Sequence, residues 1–264
     1  MKSIPFFLFF ITFWSGSAYS QKNDPVKAVI TYAFSHLRDT SRGSQPYTEN
    51  MNLILGTRSS LYKSGDKVEI DSIVDANFKA SGYKVMSAIP YTKEQLYMDF
   101  IEQKLVIYDR FFEDYQMKDD WPVIDWEIQD ETSVISGLNC QKAIGKWKGR
   151  TYIAWFSSEL PYRAGPWKLN GLPGLIIEAY DTDREVIFNF AGFRTVPKDT
   201  VDIQPPSKAI TTTKMEFNRM KEAFYQDLKG SINATTGKKT VVSVTEGSSR
   251  KSREISNPLE LPDQ

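Results

Sequence analysis

Cysteine and histidine are nearly missing: the 264 residues hold one of each, Cys140 and His36. One cysteine excludes an intramolecular disulfide, and no cysteine follows the apolar N-terminal stretch to carry a lipid anchor. A lone thiol in an oxidising compartment is buried, reactive or paired between chains, and burial is its commoner fate. One histidine excludes the paired-histidine metalloprotease motif and any multi-histidine zinc site. The GxSxG nucleophile elbow, the phosphate loop and the dinucleotide glycine fingerprint are also missing. Net charge is absent as well, with 33 basic residues against 33 acidic ones. The two signs are interspersed along the chain, which leaves no basic patch for nucleic acid.

What is present begins with an N-terminal leader. Lys2 supplies a positive start, residues 4–14 an apolar core, and residues 15–20 a small-residue exit with Ala18 and Ser20 spaced as a cleavage site requires. The apolar run is too short to span a bilayer, which takes about twenty residues. Residues 1–20 therefore read as a signal peptide, and the chain as exported. Losing them removes Lys2 and no acid, so the formal charge moves from zero (33 − 33) to minus one (32 − 33). At 41% hydrophobic residues, the remaining 21–264 read as a single domain with a real core and a polar, partly mobile C-terminal tail. No segment of the mature chain reads as transmembrane.

Strand signals dominate. Residues 26–34 are β-branched and aromatic, residues 40–50 form a loop rich in Ser, Gly, Pro and Asn, and a second strand starts at 51–56. Residues 95–100 and 104–111 form a hairpin, although Thr92 and Gln95 also have capping-box spacing for a helix; residues 72–80 are undecided. A further hairpin joins 139–147 to 151–157 through Lys148-Gly149-Arg150, and apolar groups on both faces of its second arm predict an interior strand. Gly171-Leu172-Pro173-Gly174 is a sharp turn, because two glycines and a proline in four residues cannot be regular helix. Strands at 175–180 and 185–190 follow, separated by a turn at 181–184. Residues 197–206 form a linker. One helix starts after Thr213, whose capping partner is Glu216, and carries Phe217, Met220, Phe224 and Leu228 on one stripe before Gly230. A short strand at 240–245 precedes a charged stretch at 248–254. The expected fold is mainly β (α+β): a twisted antiparallel sheet or open half-barrel with one packed C-terminal amphipathic helix.

Candidate chemistry is sparse. Cys140 and His36 are a conceivable thiolate and base, or, with a methionine, soft-metal ligands. Neither reading has an orienting partner in the sequence. Asp181 and Asp183 flank a turn residue but offer too few oxygens for calcium. Asp119, Asp120 and Glu159 are eligible carboxylates that spacing does not single out. No catalytic residue, metal ligand or cofactor is nominated. The aromatic set Trp147, Tyr152, Trp155, Phe156, Tyr162 and Trp167 suits an apolar groove, with an ordinary aromatic core as the simpler account.

Residues 140–180 carry a denser pattern: Cys140 followed by Lys142 and Ala143, Gly149-Arg150, Ala154-Trp155, Pro161, Gly165-Pro166, and the hexapeptide Gly171-Leu172-Pro173-Gly174-Leu175-Ile176. This segment resembles the signature of the GLPGLI family of secreted proteins, found mainly in Bacteroidetes, and Asn257-Pro258-Leu259-Glu260 resembles that family's C-terminal ending. The resemblance implies a periplasmic or outer-membrane-associated location and no reaction. It leaves a non-enzymatic binding or accessory protein, taking an apolar ligand or an outer-membrane protein, as the leading expectation. A thiol-dependent or hydrolytic enzyme and a structural partner of an outer-membrane transporter are the alternatives.

Overall fold

Residues 24–40, 45–67, 91–197, 201–226 and 255–261 are described by a computed structural model. The expected leader, the undecided segment at 72–80 and the stretches at 240–245 and 248–254 lie outside these residues. The described strands are β1 (Ala28–His36), β2 (Tyr47–Leu55), β3 (Ser59–Ser64), β4 (Gln95–Asp99), β5 (Lys104–Arg110) and β6 (Asp114–Asp119). They continue as β7 (Asp125–Ile135), β8 (Leu138–Trp147), β9 (Arg150–Ser157), β10 (Leu175–Asp181), β11 (Val186–Thr195) and β12 (Ile210–Thr211). All belong to one sheet in the order β12-β6-β5-β4-β3-β2-β1-β11-β10-β9-β8-β7. Neighbours are antiparallel except β12, which runs parallel to β6. The sheet is large, open and twisted, and its end strands β12 and β7 do not pair to close a barrel.

The first strand sits in the middle. β1 pairs with β2 on one side and with β11 on the other, which brings Ala28 opposite both Leu55 and Thr195. Its alternate residues Ala28, Ile30, Tyr32 and Phe34 are buried, as a period of two requires of a strand with one face on the core. β9 lies between β10 and β8, and six of its eight residues, Arg150, Tyr152 and the consecutive run Ala154 to Ser157, are buried, in keeping with the interior strand expected from its sequence. Two-residue turns with both residues at positive φ, Ser136-Gly137 (52° and 82°) and Lys148-Gly149 (46° and 70°), close the β7–β8 and β8–β9 hairpins. Such turns match the twist of the strands they join.

The helix α1 (Lys214–Gln226) carries the capping box read from its sequence. The Glu216 amide donates to Thr213 Oγ1 and the Thr213 amide donates to Glu216 Oε2, both at 3.1 Å. Phe217 is buried with its ring 5.2 Å from that of Tyr115 on β6, and Phe224 meets Phe111 at 5.1 Å. The described part of the apolar stripe, Phe217, Met220 and Phe224, therefore packs against the sheet side of the molecule, and Leu228 and Gly230 lie outside the described residues. No helix among the described residues is long and apolar enough to cross a membrane.

Several strands escape a reading by hydrophobic pattern. β2 begins at Tyr47, inside the expected loop at 40–50, because its pairing with β1 runs on to His36. β3 is polar in sequence yet buried: Asp24 accepts from the amides of Thr57 and Ser59 and from Ser59 Oγ, so Ser59 is satisfied inside. β6 and β7 had no strand assigned. β7 is an edge strand with most residues exposed on both faces, which removes the alternation that marks a strand.

Candidate functional site

Between β9 and β10 the chain folds back over the sheet, and residues 164–170 are all buried. Two glycines of the turn act differently. Gly171 takes a φ of 98°, a left-handed conformation that other residues adopt at a cost. Gly174 is needed for close approach instead: a Cβ there would lie 2.3 Å from the Ser157 carbonyl oxygen on β9. Trp167 is itself strained, with φ of 55°, a conformation that costs a non-glycine residue about 1–2 kcal/mol. It is held by Trp147 at 5.1 Å between ring centroids and by the ion pairs of its neighbour Lys168.

Lys168 is 4% exposed and donates to Asp119 of β6 at 2.6 Å and to Glu260 near the C-terminus. Burial disfavours its ammonium, but these two carboxylates outweigh burial and raise its pKa. Asp119 also accepts from Lys214 of α1 at 2.8 Å; burial opposes its charge, the two lysines win, and its pKa is lowered. One ionic cluster thus ties the loop, β6, α1 and the C-terminal segment.

A second cluster ties the same C-terminal segment to the sheet. Arg150, buried at the start of β9, donates to Asp181 at 2.5 Å, to Glu185 at 3.2 Å, to the carbonyls of Pro258 and Leu259 at 2.8 and 3.3 Å, and to Asn257 Oδ1. Asn257 Nδ2 donates in turn to the Leu37 carbonyl at 2.7 Å and to Glu185 at 2.9 Å. His36 Nε2 donates to the Asn257 carbonyl at 2.8 Å, which leaves Nδ1 unprotonated in the neutral ring. Burial, helped by the nearby Arg38 and Arg150, pushes the His36 pKa down to about 4 against the pull of that carbonyl. Asp181 accepts from the amides of Glu185 and Val186, so its role is turn and ion-pair chemistry rather than calcium binding. Residues 257–261 form a strap, anchored last by the Leu261 amide on the Lys148 carbonyl at 3.0 Å.

Under the strap lies a cavity of ≈ 90 Å³. Its apolar lining is Phe34, Met51, Leu96, Trp167, Phe188 and the strap's Leu259, with Phe34 and Phe188 stacked at 5.0 Å. Its polar lining is Arg38, Tyr62, Thr92 and Glu94. Burial raises the Glu94 pKa, with Lys168 and Lys214 pulling the other way. A wider trough of ≈ 520 Å³ runs along Trp126, Ile144 and Gly145 beside β7, open to solvent and mixed in character.

The aromatic residues singled out from the sequence do not share one groove. Of the six, Trp167 lines the cavity and the other five do not. Tyr152 and Phe156 alternate along β9 with Trp155, so the sheet places Trp155 on the opposite face. Tyr152 is fully buried with its hydroxyl unpartnered, Phe156 and Trp155 are buried, Trp147 packs on Trp167, and Tyr162 is half-buried. Cys140 and His36 are both buried but lie on β8 and β1, four strand steps apart, or about 19 Å at about 4.8 Å per step. The sheet therefore does not pair the thiol with the imidazole, and burial raises the Cys140 pKa. Among the described residues no cluster of His, Cys, Asp and Glu could hold a metal ion. In the 140–180 pattern, Gly149 makes a turn, Arg150 clamps the strap, Gly165 and Pro166 are buried in the folded-back loop, and Leu172, Leu175 and Ile176 join the core, while Pro161 and Pro173 are exposed. The cavity's Arg38, Tyr62, Glu94 and Leu259 carried no signal in the sequence beyond the resemblance of residues 257–260.

A family model described as "Protein of unknown function (Porph_ging)" matches residues 146–178, from the end of β8 into β10. No curated protein matches the chain. Solved structures of PNGF-II in two space groups are similar at a TM-score of 0.53 and 14% identity. The likeness covers 74% of this chain but only 33% and 32% of those chains, so this chain spans about a third of their length, and the likeness is one of fold.

Proposed function

We propose that this chain is a non-enzymatic binding or accessory protein of the bacterial envelope, exported to the periplasm or the outer membrane, that takes an apolar group into the cavity under its C-terminal strap. The observation that carries this reading is the cavity itself: six apolar side chains from β1, β2, β4, β11, the folded-back loop and the strap converge on one space beside four polar residues, a mostly apolar lining with a small number of polar groups that suits a ligand site. The hexapeptide, its flanking residues and the Asn257-Pro258-Leu259-Glu260 ending support grouping the chain with the GLPGLI proteins. That grouping and the N-terminal leader support export. The separation of Cys140 from His36 weighs against the thiol enzyme.

Native mass spectrometry of the protein purified from its own envelope, compared with the denatured sample, tests the reading. A mass excess that disappears on denaturation is expected. A bare mass together with no uptake of an added apolar fluorophore refutes it.

A further inference from the structure

We infer that the ligand is a short aliphatic monocarboxylate, its alkyl chain among the apolar side chains and its carboxylate at Arg38 and Tyr62. This rests on the binding reading above. Two buried donors of the cavity lining, Arg38 Nε and Tyr62 Oη, have no hydrogen-bond partner. Tyr62 is 4% exposed, so water at the surface does not satisfy its hydroxyl. An unpaired buried donor is costly, and native proteins rarely leave two at one place without a ligand or solvent to complete them.

The kinds of donor select the ligand's head. Arg38 is a permanent cation that forms no ion pair among the described residues and lies 3.5 Å over the Tyr47 ring. A guanidinium with no ion pair among the described residues has room for an anionic partner, and a planar guanidinium and a hydroxyl lining one cavity suit a carboxylate. Glu94 lines the same cavity and burial already opposes its own charge, so Arg38 can offset one added carboxylate there but not two, and a dicarboxylate is the wrong class. Thr92 is already committed, its hydroxyl donating to Glu49 at 2.6 Å.

Volume limits the tail. The cavity of ≈ 90 Å³ is smaller than the roughly 150 Å³ that accepts the six carbons of benzene, so the tail is on the order of three or four carbons rather than a longer acyl chain.

Isothermal titration of the full chain with sodium pentanoate, 1-pentanol and disodium pentanedioate at neutral pH tests the assignment. Pentanoate is expected to bind at least tenfold more tightly than either of the others. Tyr62→Phe, which deletes only the unpartnered hydroxyl and should fold with an unchanged or higher melting temperature, is expected to weaken pentanoate about tenfold, the effect of one hydrogen bond to a charged group, and to leave pentanol unchanged. Equal binding of pentanoate and pentanol, or no effect of Tyr62→Phe, overturns the carboxylate assignment while leaving the apolar cavity standing. Binding of none of the three overturns both.

Discussion

Replacing Arg150 by methionine removes the group on which the strap, the β10–β11 turn and β9 converge, at little change in side-chain volume. The loss is not that of a surface ion pair, because the side chains of Arg150 and Asp181 are 3% and 2% exposed. Breaking a buried pair by removing one partner costs about 3–5 kcal/mol, chiefly because the other charge is stranded. Asp181 keeps the amides of Glu185 and Val186, which argues for the lower end of that range. Against this, Arg150→Met also frees Asn257 Oδ1 and the carbonyls of Pro258 and Leu259, each worth about 1 kcal/mol or more when bonded to a charged donor. Together these place the loss at about 4 kcal/mol. Urea unfolding followed by tryptophan fluorescence measures it. The double variant Arg150→Met with Asp181→Asn should recover part of the loss, since no buried charge is then stranded, whereas hydrogen exchange at 257–261 should stay fast in both. A loss under about 1 kcal/mol, or no recovery in the double variant, refutes the account of Arg150 as a buried electrostatic clamp.

Three further outcomes follow from the same geometry. His36 has its pKa lowered to about 4 from an ordinary 6.5, so the unfolded chain binds more protons between those values. Stability should fall as pH drops from about 6.5 to about 4 by at most about 3 kcal/mol, and pH-dependent urea midpoints should show a shallower fall in His36→Gln than in the unsubstituted protein. Gly174→Ala drives a Cβ against the Ser157 backbone at 2.3 Å and should cost about 1–3 kcal/mol by thermal unfolding, whereas Gly192→Ala, where a Cβ meets nothing within 4 Å, should cost less than that. Lys168→Met strands Glu260 while Asp119 keeps Lys214, so hydrogen exchange should speed up at residues 259–261 and stay slow in β1 and β11.

The parts of the fold legible in the sequence are those where one residue type has one physical job. The 95–111 hairpin, the β8–β9 hairpin and the β10–β11 pair stand out because β-branched runs are broken by short turns, and α1 because Thr213 and Glu216 cap it reciprocally. β3 and β7 do not stand out, for opposite reasons. β3 buries three serines, of which Ser59 is satisfied by Asp24, 35 residues earlier, and β7 is exposed on both faces as an edge. Neither has the alternation that hydrophobic periodicity detects. The site was less legible still. Aromatic content singled out Trp167, which lines the cavity, and Tyr152 and Trp155 without revealing that a strand's alternation sends them to opposite faces. Arg150 and Asn257 are 107 positions apart, and only the fold says that they meet.

The residues that resemble a family signature share a structural task, and that task bears on function. Gly149 makes the tight turn that presents Arg150, and Arg150 grips Asn257, Pro258 and Leu259. Gly174 lets the folded-back loop leave its β9 crossing without a clash, and that loop delivers Trp167 and Lys168, the second of which grips Glu260. Two stretches far apart in the chain therefore end on either side of one cavity, Trp167 from the first and Leu259 from the second. A signature serving catalysis would concentrate polar groups at a reacting centre with matched pKa values. Here Arg150 and Lys168 hold the strap down over a cavity lined by six apolar side chains and by Arg38, Tyr62, Thr92 and Glu94. Leu259 of the strap lines the cavity, so if the strap is the door, loosening Arg150 or Lys168 should speed both uptake and release of pentanoate in stopped-flow measurements. If both variants bind and release it at unchanged rates, the strap is not the door, and access must run past Thr92 and Glu94 instead.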